Sequence, residues 1–485
     1  MADKKTDNNK RQGKGNACPV FSKCGGCQLQ NMTYDRQLSF KQAKCIKLLG
    51  RFGHVEEIIG MKEPVHYRCK VQAAFGRTRG GKIVSGVYQS SSHRIVLVDE
   101  CMLENKKADK IIVDIRKLLT PFRLYPYDED TGRGFLRHVL VRVGYHTGEI
   151  MVVLVTAVPQ FTRKNDFIKE LLKLHPEITT VVQNINPAHT SMVLGKDEKI
   201  LFGRGYIEDT LCGCVFRISP TAFYQINPVQ TEVLYNTAME FAALTGNETV
   251  MDAYCGVGTI GLVASKQAKF VVGVELNPDS VKDAISNAKR NKAENIRFIC
   301  GDAGEYAVQL AEDGEKADVL FMDPPRAGSD VKFMASAVKM APKKIVYVSC
   351  NPETLARDLA YLVKNGYKVK KIQPVDMFPH TSHVETVVQL SRKRPDTYID
   401  LKIDLDELDR TAAEAKPTYD EIKDYVFKNY GLKVSSLYIS QVKRKLGLEV
   451  GESYNKPKSA DAKQPQCPEE KEKAIIEALK WFKMI

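Results

Sequence analysis

The feature that most constrains this chain is a change of rhythm near residue 220. Beyond it, β-branched runs at about 248–254, 270–275, 296–301, 318–323 and 344–350 each lead into a helix or turn, an alternation that folds as a parallel, doubly wound α/β sheet. The last two runs, Lys368 to Val375 and Val384 to Leu390, have no helix between them, so they are expected to pair antiparallel and close the sheet. Asn227-Pro228 reads as an N-cap with proline at the first helical position, opening a helix over Val229 to Leu244.

Before residue 220 the text is strand-rich. Cys69 to Phe75 and Ile83 to Tyr88 flank a Gly80-Gly81 turn and read as a hairpin; Val139 to Val143, Ile150 to Val155 and Thr180 to Asn186 add strands, with helices near Lys106 to Leu119 and Lys164 to Leu174. Tyr34 to Phe52 carries Leu38, Ala43, Ile46, Leu48 and Leu49 near helical spacing. After Arg394-Pro395 come two charged helices, Tyr419 to Tyr430 and Ser435 to Leu446, the second expected to turn Leu437, Ile439, Val442 and Leu446 inward and Lys443, Arg444 and Lys445 outward. Either a helix-turn-helix-like nucleic-acid module or a small appendage with a solvated basic face fits that pattern. The organisation expected is a disordered basic tail (1–17), a strand-rich domain (18–220), an α/β domain (221–393) and a helical extension (394–485).

Lys and Arg outnumber Asp and Glu by 72 to 59, a balance of +13 that favours a polyanionic partner such as RNA, DNA or an acidic surface over a merely solvated basic face. No run of eighteen apolar residues occurs and Met1 to Asn16 has no apolar core, so a soluble, cytoplasmic, monomeric protein with no membrane partner is expected. Cysteines are numerous, twelve in all, and crowd unevenly. Cys18, Cys24 and Cys27 share one short segment with Cys101 as the nearest fourth, a set that in a reducing compartment signals metal binding; the spacing alone permits zinc as well as an iron-sulfur cluster.

Asp252-Ala-Tyr-Cys-Gly256-Val-Gly258-Thr259-Ile-Gly261 matches G-x-G-x-x-G, with Glu275 at the end of the next strand. A dinucleotide enzyme would use those glycines to bring pyrophosphate to a helix N-terminus. Asp252 at the mouth of the loop would repel a pyrophosphate but suits the sulfonium and amino groups of S-adenosylmethionine. Glu275 then accepts from the ribose hydroxyls and Asp302 from the adenine amine. An NAD-dependent oxidoreductase, and a non-catalytic RNA-binding protein with a metal knuckle, are the readings from other classes. The oxidoreductase leaves Cys350, Glu385 and the antiparallel terminal pair unexplained, and Cys350→Ala separates the non-catalytic reading.

Val348-Ser349-Cys350-Asn351-Pro352 delivers a thiol to the carboxyl end of a strand, where ligands bind in open α/β sheets. Asp323-Pro-Pro-Arg326 ends the strand before it, and Arg326 in place of an aromatic residue argues against stacking on an exocyclic amine and for methylation at carbon. Uracil C5 is too weak a nucleophile to attack a methyl sulfonium; addition of the Cys350 thiolate at C6 makes an enolate that can. Removal of the C5 proton afterwards needs a base, expected to be Glu385, with His380 and His383 as competitors.

These residues resemble the S-adenosylmethionine-dependent RNA uracil-5-methyltransferases, and specifically the iron-sulfur members that modify 23S ribosomal RNA. The resemblance covers about residues 18 to 392. It implies a methyltransferase-type sheet, a donor site at Gln225 (in Phe223-Tyr-Gln-Ile-Asn227), Asp252, Tyr254, Gly256, Gly258, Thr259, Glu275, Asp302 and Asp323, Cys350 as nucleophile, Glu385 as base, and Asp323 as active-site acid. It also implies a 4Fe-4S cluster on Cys18, Cys24, Cys27 and Cys101, in a C-x5-C-x2-C pattern with a distant fourth cysteine. A cluster so far in sequence from the nucleophile is expected to shape an RNA-binding surface rather than pass electrons. Two departures stand out: seventeen residues before the first of these cysteines cannot hold the small β-barrel that many relatives carry there, and the extension after residue 395 lies outside the family core. The substrate implied is 23S ribosomal RNA, with the T-loop uridine of tRNA as the alternative.

Overall fold

The computed structural model describes residues 18–393, apart from 90, 91, 93, 189–191, 314 and 315, together with 419–448, 466–482 and 484. The tail 1–17 and the start of the helical extension lie outside these residues. Two compact units are present, Met1–Arg394 and Pro395–Ile485.

The first unit opens with a short turn of helix, α1 (Phe21–Cys24), and then α2 (Tyr34–Leu49). A seven-stranded sheet follows, built from β1 (Lys70–Arg77), β2 (Ile83–Tyr88), β3 (Ile95–Leu97), β4 (Leu136–Val143), β5 (Ile150–Thr156), β6 (Ile178–Ile185) and β7 (Asp197–Phe202) in the order β3-β2-β1-β4-β5-β6-β7. Its pairs are antiparallel except β5 with β6. The central strands are buried on both faces, and alternation decides which core each residue joins. Val139, Val141, Val152 and Leu154 pack under α3 (Lys106–Leu119) and α4 (Lys164–Leu174), whereas Leu140, Met151, Val153 and Val155 turn the other way. There they meet the hairpin β8 (Ile207–Leu211) and β9 (Cys214–Ile218) and the helix α5 (Pro228–Ala242). One apolar core therefore runs from the strand-rich part into the α/β part.

The α/β part carries β10 (Thr249–Ala253), α6 (Thr259–Ser265), β11 (Phe270–Glu275), α7 (Pro278–Arg290), β12 (Ile296–Cys300), α8 (Ala303–Glu312), β13 (Val319–Met322), α9 (Val331–Met340), β14 (Lys344–Ser349), α10 (Pro352–Lys364), β15 (Tyr367–Val375) and β16 (Glu385–Arg392). Strand order is β12-β11-β10-β13-β14-β16-β15, parallel from β10 to β14, with β16 antiparallel to both its neighbours. The expected antiparallel closure is present, and it matters for chemistry. An antiparallel strand begins where its parallel neighbours end, so the first residue of β16, Glu385, arrives at the carboxyl ends of the others.

Helix α2 departs from the expected pattern. Its buried residues are Gln37, Lys41, Cys45 and Leu49, an i, i+4 row that is half polar, while Ile46 is 51% exposed. The polar members have partners in the α/β part, described below, and those partners set the helix's rotation. Cys45 and Leu49 join the core beneath β15 and α10, so this N-terminal helix belongs to the packing of the α/β sheet.

In the second unit α11 (Tyr419–Tyr430), α12 (Ser436–Lys445) and α13 (Glu469–Trp481) enclose their own core of Ile422, Val426, Ile439, Val442, Ile475 and Leu479. Two expectations fail here. Lys443 is buried, its ammonium 4.8 Å from the Tyr419 ring centroid, and Leu446 is exposed. A cation that can lie on an aromatic face tolerates the inward position. Among the described residues, no helix is long and apolar enough to cross a membrane.

Candidate active site

The donor-loop residues gather at the ends of β10, β11 and β12. Tyr254 takes a left-handed backbone (φ 62°), as do Gly256 and Gly258, so the loop turns sharply before α6. A Cβ on Gly258 would come within 2.6 Å of the Phe298 ring, which leaves glycine as the only fit. Glu275 is fastened to the loop: Gly256 N–H donates to its Oε2 at 3.1 Å and Asn277 N–H to its Oε1 at 2.8 Å. Asp302 caps α8, accepting from Glu305 N–H at 2.9 Å. Thr259 Oγ1 lies 2.9 Å from the Tyr235 hydroxyl, and the Tyr254 hydroxyl 3.0 Å from Ser329 Oγ.

Asp252 does not stand at the mouth of the loop. It is 1% exposed, beneath the turn, and accepts from Gly261 N–H at 2.7 Å. Burial pushes its carboxyl up to about 8, with Asp323 and Glu275 adding repulsion. Its first task is to hold the glycine turn against the strand. Gln225 lies on a segment tied to the strand-rich part, where Cys69 N–H donates to Ile226 O at 2.8 Å; its side chain makes no hydrogen bond among the described residues. In the same motif Asn227 is fully buried, capping α5 and donating from Nδ2 to Met377 O at 2.9 Å.

Asp323, Cys350 and Glu385 come together. In the β14–β16 register Ser349 faces Thr386, so one step further sets Cys350 opposite Glu385. Burial, then Glu385 and Asp323, push the Cys350 thiol up to about 11, while Arg326 pulls it down. Glu385, 4% exposed, is pushed up to about 8 by burial and then by Asp323, again opposed by Arg326. Asp323 is raised to about 7 by burial. A thiol and two carboxyls with displaced proton affinities at one end of a sheet are groups able to supply a nucleophile and acid–base chemistry.

Sequence reasoning missed the part played by Arg326. Its NH2 lies 2.9 Å from both ring nitrogens of His383, one of which accepts, and its carbonyl is held by Asn351 Nδ2 and Thr354 Oγ1, each at 3.3 Å. It is the cation facing both Cys350 and Glu385. His383 is thereby engaged with Arg326, and His380 faces α2, with Nδ1 3.2 Å from Gln37 Nε2.

The cysteines of the N-terminal segment lie in the neighbourhood of Cys101. Burial pushes the Cys27 thiol up to about 12, followed by repulsion from Cys101, Cys24 and Cys18. Cys27 and Cys101 pack against Met61, Tyr67 and Leu103, and a Cβ on Gly26 would meet Cys24 Sγ at 3.3 Å. The thiols stand as neighbours but not drawn to a single point: among the described residues, no three His, Cys, Asp or Glu side chains are close enough to share an ion.

Residues 33–393 match the family described as tRNA (uracil-5-)-methyltransferase. An RNA methyltransferase of Halalkalibacterium halodurans, named as uncharacterized, is 47% identical over 381 residues, 78% of this chain and 83% of its own length. One from Oceanobacillus iheyensis, named likewise, is 44% identical over 376 residues, 76% of this chain and 82% of its own. The crystal structure of Pyrococcus abyssi tRNA (uracil-54, C5)-methyltransferase in complex with S-adenosyl-L-homocysteine superimposes with a TM-score of 0.64 at 29% identity, covering 75% of this chain and 85% of that one. With the doubly wound sheet and its antiparallel closure, these matches make the chain a member of the uracil-5 RNA methyltransferase family and an enzyme dependent on S-adenosylmethionine.

Proposed function

We propose that this enzyme methylates C5 of a uridine in 23S ribosomal RNA through a covalent Cys350 adduct. The observation that carries the reading is the β14–β16 register that sets Cys350 opposite Glu385, with Asp323 near enough to raise the proton affinity of both. A target base flipped from an RNA loop would present C6 to Cys350. The thiol gives its proton to the Asp323 carboxylate, leaving Glu385 ionised for the later step, and Arg326 favours the thiolate. Sulfur bonds to C6 and the ring becomes an enolate. Asp323, near neutrality in proton affinity, hydrogen-bonds the ring where that charge develops. S-adenosylmethionine, which Gln225, Tyr254, Gly256, Gly258, Thr259, Glu275 and Asp302 would hold around the loop that Asp252 braces, would supply the methyl group: C5 takes it as the sulfur–methyl bond breaks, and S-adenosylhomocysteine leaves. Glu385 then takes the C5 proton, the ring double bond re-forms, and the Cys350 thiolate leaves.

Cys18, Cys24, Cys27 and Cys101 are the donor set proposed for a 4Fe-4S cluster; the repulsion that Cys101, Cys24 and Cys18 exert on Cys27 supports the reading, and binding would have to draw the four thiols closer than they stand here. Iron and sulfide analysis of anaerobically purified protein should find about four of each, and stoichiometric zinc would overturn the assignment. The T-loop uridine of tRNA is the competing substrate, favoured by the named activity of the Pyrococcus abyssi protein. Incubation with labelled donor and each RNA class decides: incorporation into 23S RNA is expected, and incorporation confined to tRNA overturns the choice.

A further inference from the structure

Between β15 and β16 runs the loop 376–384, and its last residue precedes Glu385. It is held from the opposite end of the chain. Lys41, fully buried on α2, places its ammonium 2.5 Å from Asp376 Oδ1 and donates to Phe378 O at 3.0 Å. The Tyr34 hydroxyl donates to Asp376 Oδ2 at 2.8 Å while accepting from Met61 N–H at 2.7 Å. Further along, His380 N–H donates to Gln37 Oε1 at 2.8 Å, and His380 O accepts from Gln28 N–H and Leu29 N–H at 3.1 and 3.0 Å. Ser382 N–H donates to Gln28 Oε1 at 3.3 Å. The Tyr67 hydroxyl, from a ring packed against Cys27 and Cys101, donates to Pro379 O at 2.9 Å.

His380 itself has a left-handed backbone (φ 68°). A non-glycine residue keeps that conformation only where its surroundings over-determine it, and here four hydrogen bonds on its backbone and ring do so. Burying a lysine ammonium at zero exposure is costly without a partner, so the Lys41–Asp376 contact fixes α2 and the loop together.

We propose that α2 and the cysteine-bearing segment form a frame that positions Glu385, with Gln37, Tyr67 and Gln28 as positioning residues acting through loop 376–384. The frame rests on the proposed adduct mechanism and adds a task for the N-terminal segment: it serves proton removal at C5. Displacements of about 1 Å at a reacting group cost on the order of a hundredfold. Loosening the frame should therefore slow elimination and spare the steps before it.

The test uses the full chain carrying Gln37→Ala, with Tyr67→Phe as a gentler variant that removes one hydroxyl. RNA affinity and the first turnover of methyl transfer are expected to stay within about twofold of wild type, while steady-state turnover falls about tenfold or more for Gln37→Ala and less for Tyr67→Phe. The methylated protein–RNA adduct should accumulate on a denaturing gel. Wild-type turnover without adduct in both variants, or a proportional loss of affinity, first turnover and steady state, would overturn the frame. If Gln37→Ala fails to fold, Tyr67→Phe decides by the same measurements. Cross-linking of wild-type protein to 5-fluorouridine RNA is measured alongside; its failure condemns the adduct mechanism itself, whereas its success with unaltered variants condemns only the frame.

Discussion

Replacing Glu385 with Gln separates the chemistry of this site from its stability, and the two effects have opposite signs. The carboxyl is raised from an ordinary 4.5 to about 8, chiefly by burial. Between those values the native state holds a proton that the unfolded chain has released, so stability falls as pH climbs from near 4.5 to near 8 and then levels. At 1.36 kcal/mol per unit, the ionised carboxylate costs at most about 5 kcal/mol above pH 8. Glutamine carries no charge to bury, so Glu385→Gln should match wild type in urea unfolding near pH 5 and exceed it by about 2–5 kcal/mol at pH 9. Catalysis should move the other way. A positioned base contributes about a hundred- to ten-thousandfold, so turnover should drop by that range while one methyl per enzyme is still transferred. With methyl-labelled donor the product is a labelled, slowly migrating protein–RNA band on a denaturing gel. Release of methylated RNA at the wild-type rate would refute Glu385 as base, and an unchanged pH dependence of stability would refute its burial.

Cys350→Ala should abolish turnover and 5-fluorouridine cross-linking while leaving RNA affinity nearly intact; a surviving cross-link would place the nucleophile elsewhere. Since the base must be ionised, kcat for wild type should rise through about pH 8, and Arg326→Gln, by removing the cation that opposes both shifts, should move that rise to higher pH and slow adduct formation. An unmoved profile would show that Arg326 acts only through the loop backbone. Asp252, buried under the glycine turn and accepting from Gly261 N–H, should act on donor binding only through the loop: Asp252→Asn is expected to weaken S-adenosylmethionine and S-adenosylhomocysteine alike in calorimetry, and a loss confined to the sulfonium-bearing donor would refute that bracing role.

Much of this architecture was legible because it is written in short-range patterns. Strand–helix alternation, the proline after Asn227 and the missing helix before β16 each report on a few consecutive residues, and the sheet followed from them. The motif residues were legible for a related reason: strand ends place Asp252, Glu275, Asp302, Asp323 and Cys350 along one edge whatever the loops do. Side-chain direction was not. Asp252 turned under its loop because Gly261 N–H offered a partner there, and Lys443 turned inward onto Tyr419. Periodicity counts apolar residues and is blind to a polar one whose partner lies elsewhere in the chain.

Helix α2 shows the same blindness at its largest, and it changes what the cysteines mean. Read by hydropathy, Ile46 belongs inside and Lys41 outside; the structure inverts both, because Asp376 lies 335 residues away in sequence and 2.5 Å away in space. The same inversion applies to distance. Judged by sequence the four cysteines are remote from Cys350, which suggested a role confined to the RNA-binding surface. In space Gln28 and Leu29, next to Cys27, hold the carbonyl of His380, five residues ahead of Glu385. If Glu385 is the base, as proposed, the atoms that fix its loop come from the N-terminal segment, and variants there would change rate without touching the residues around the glycine turn.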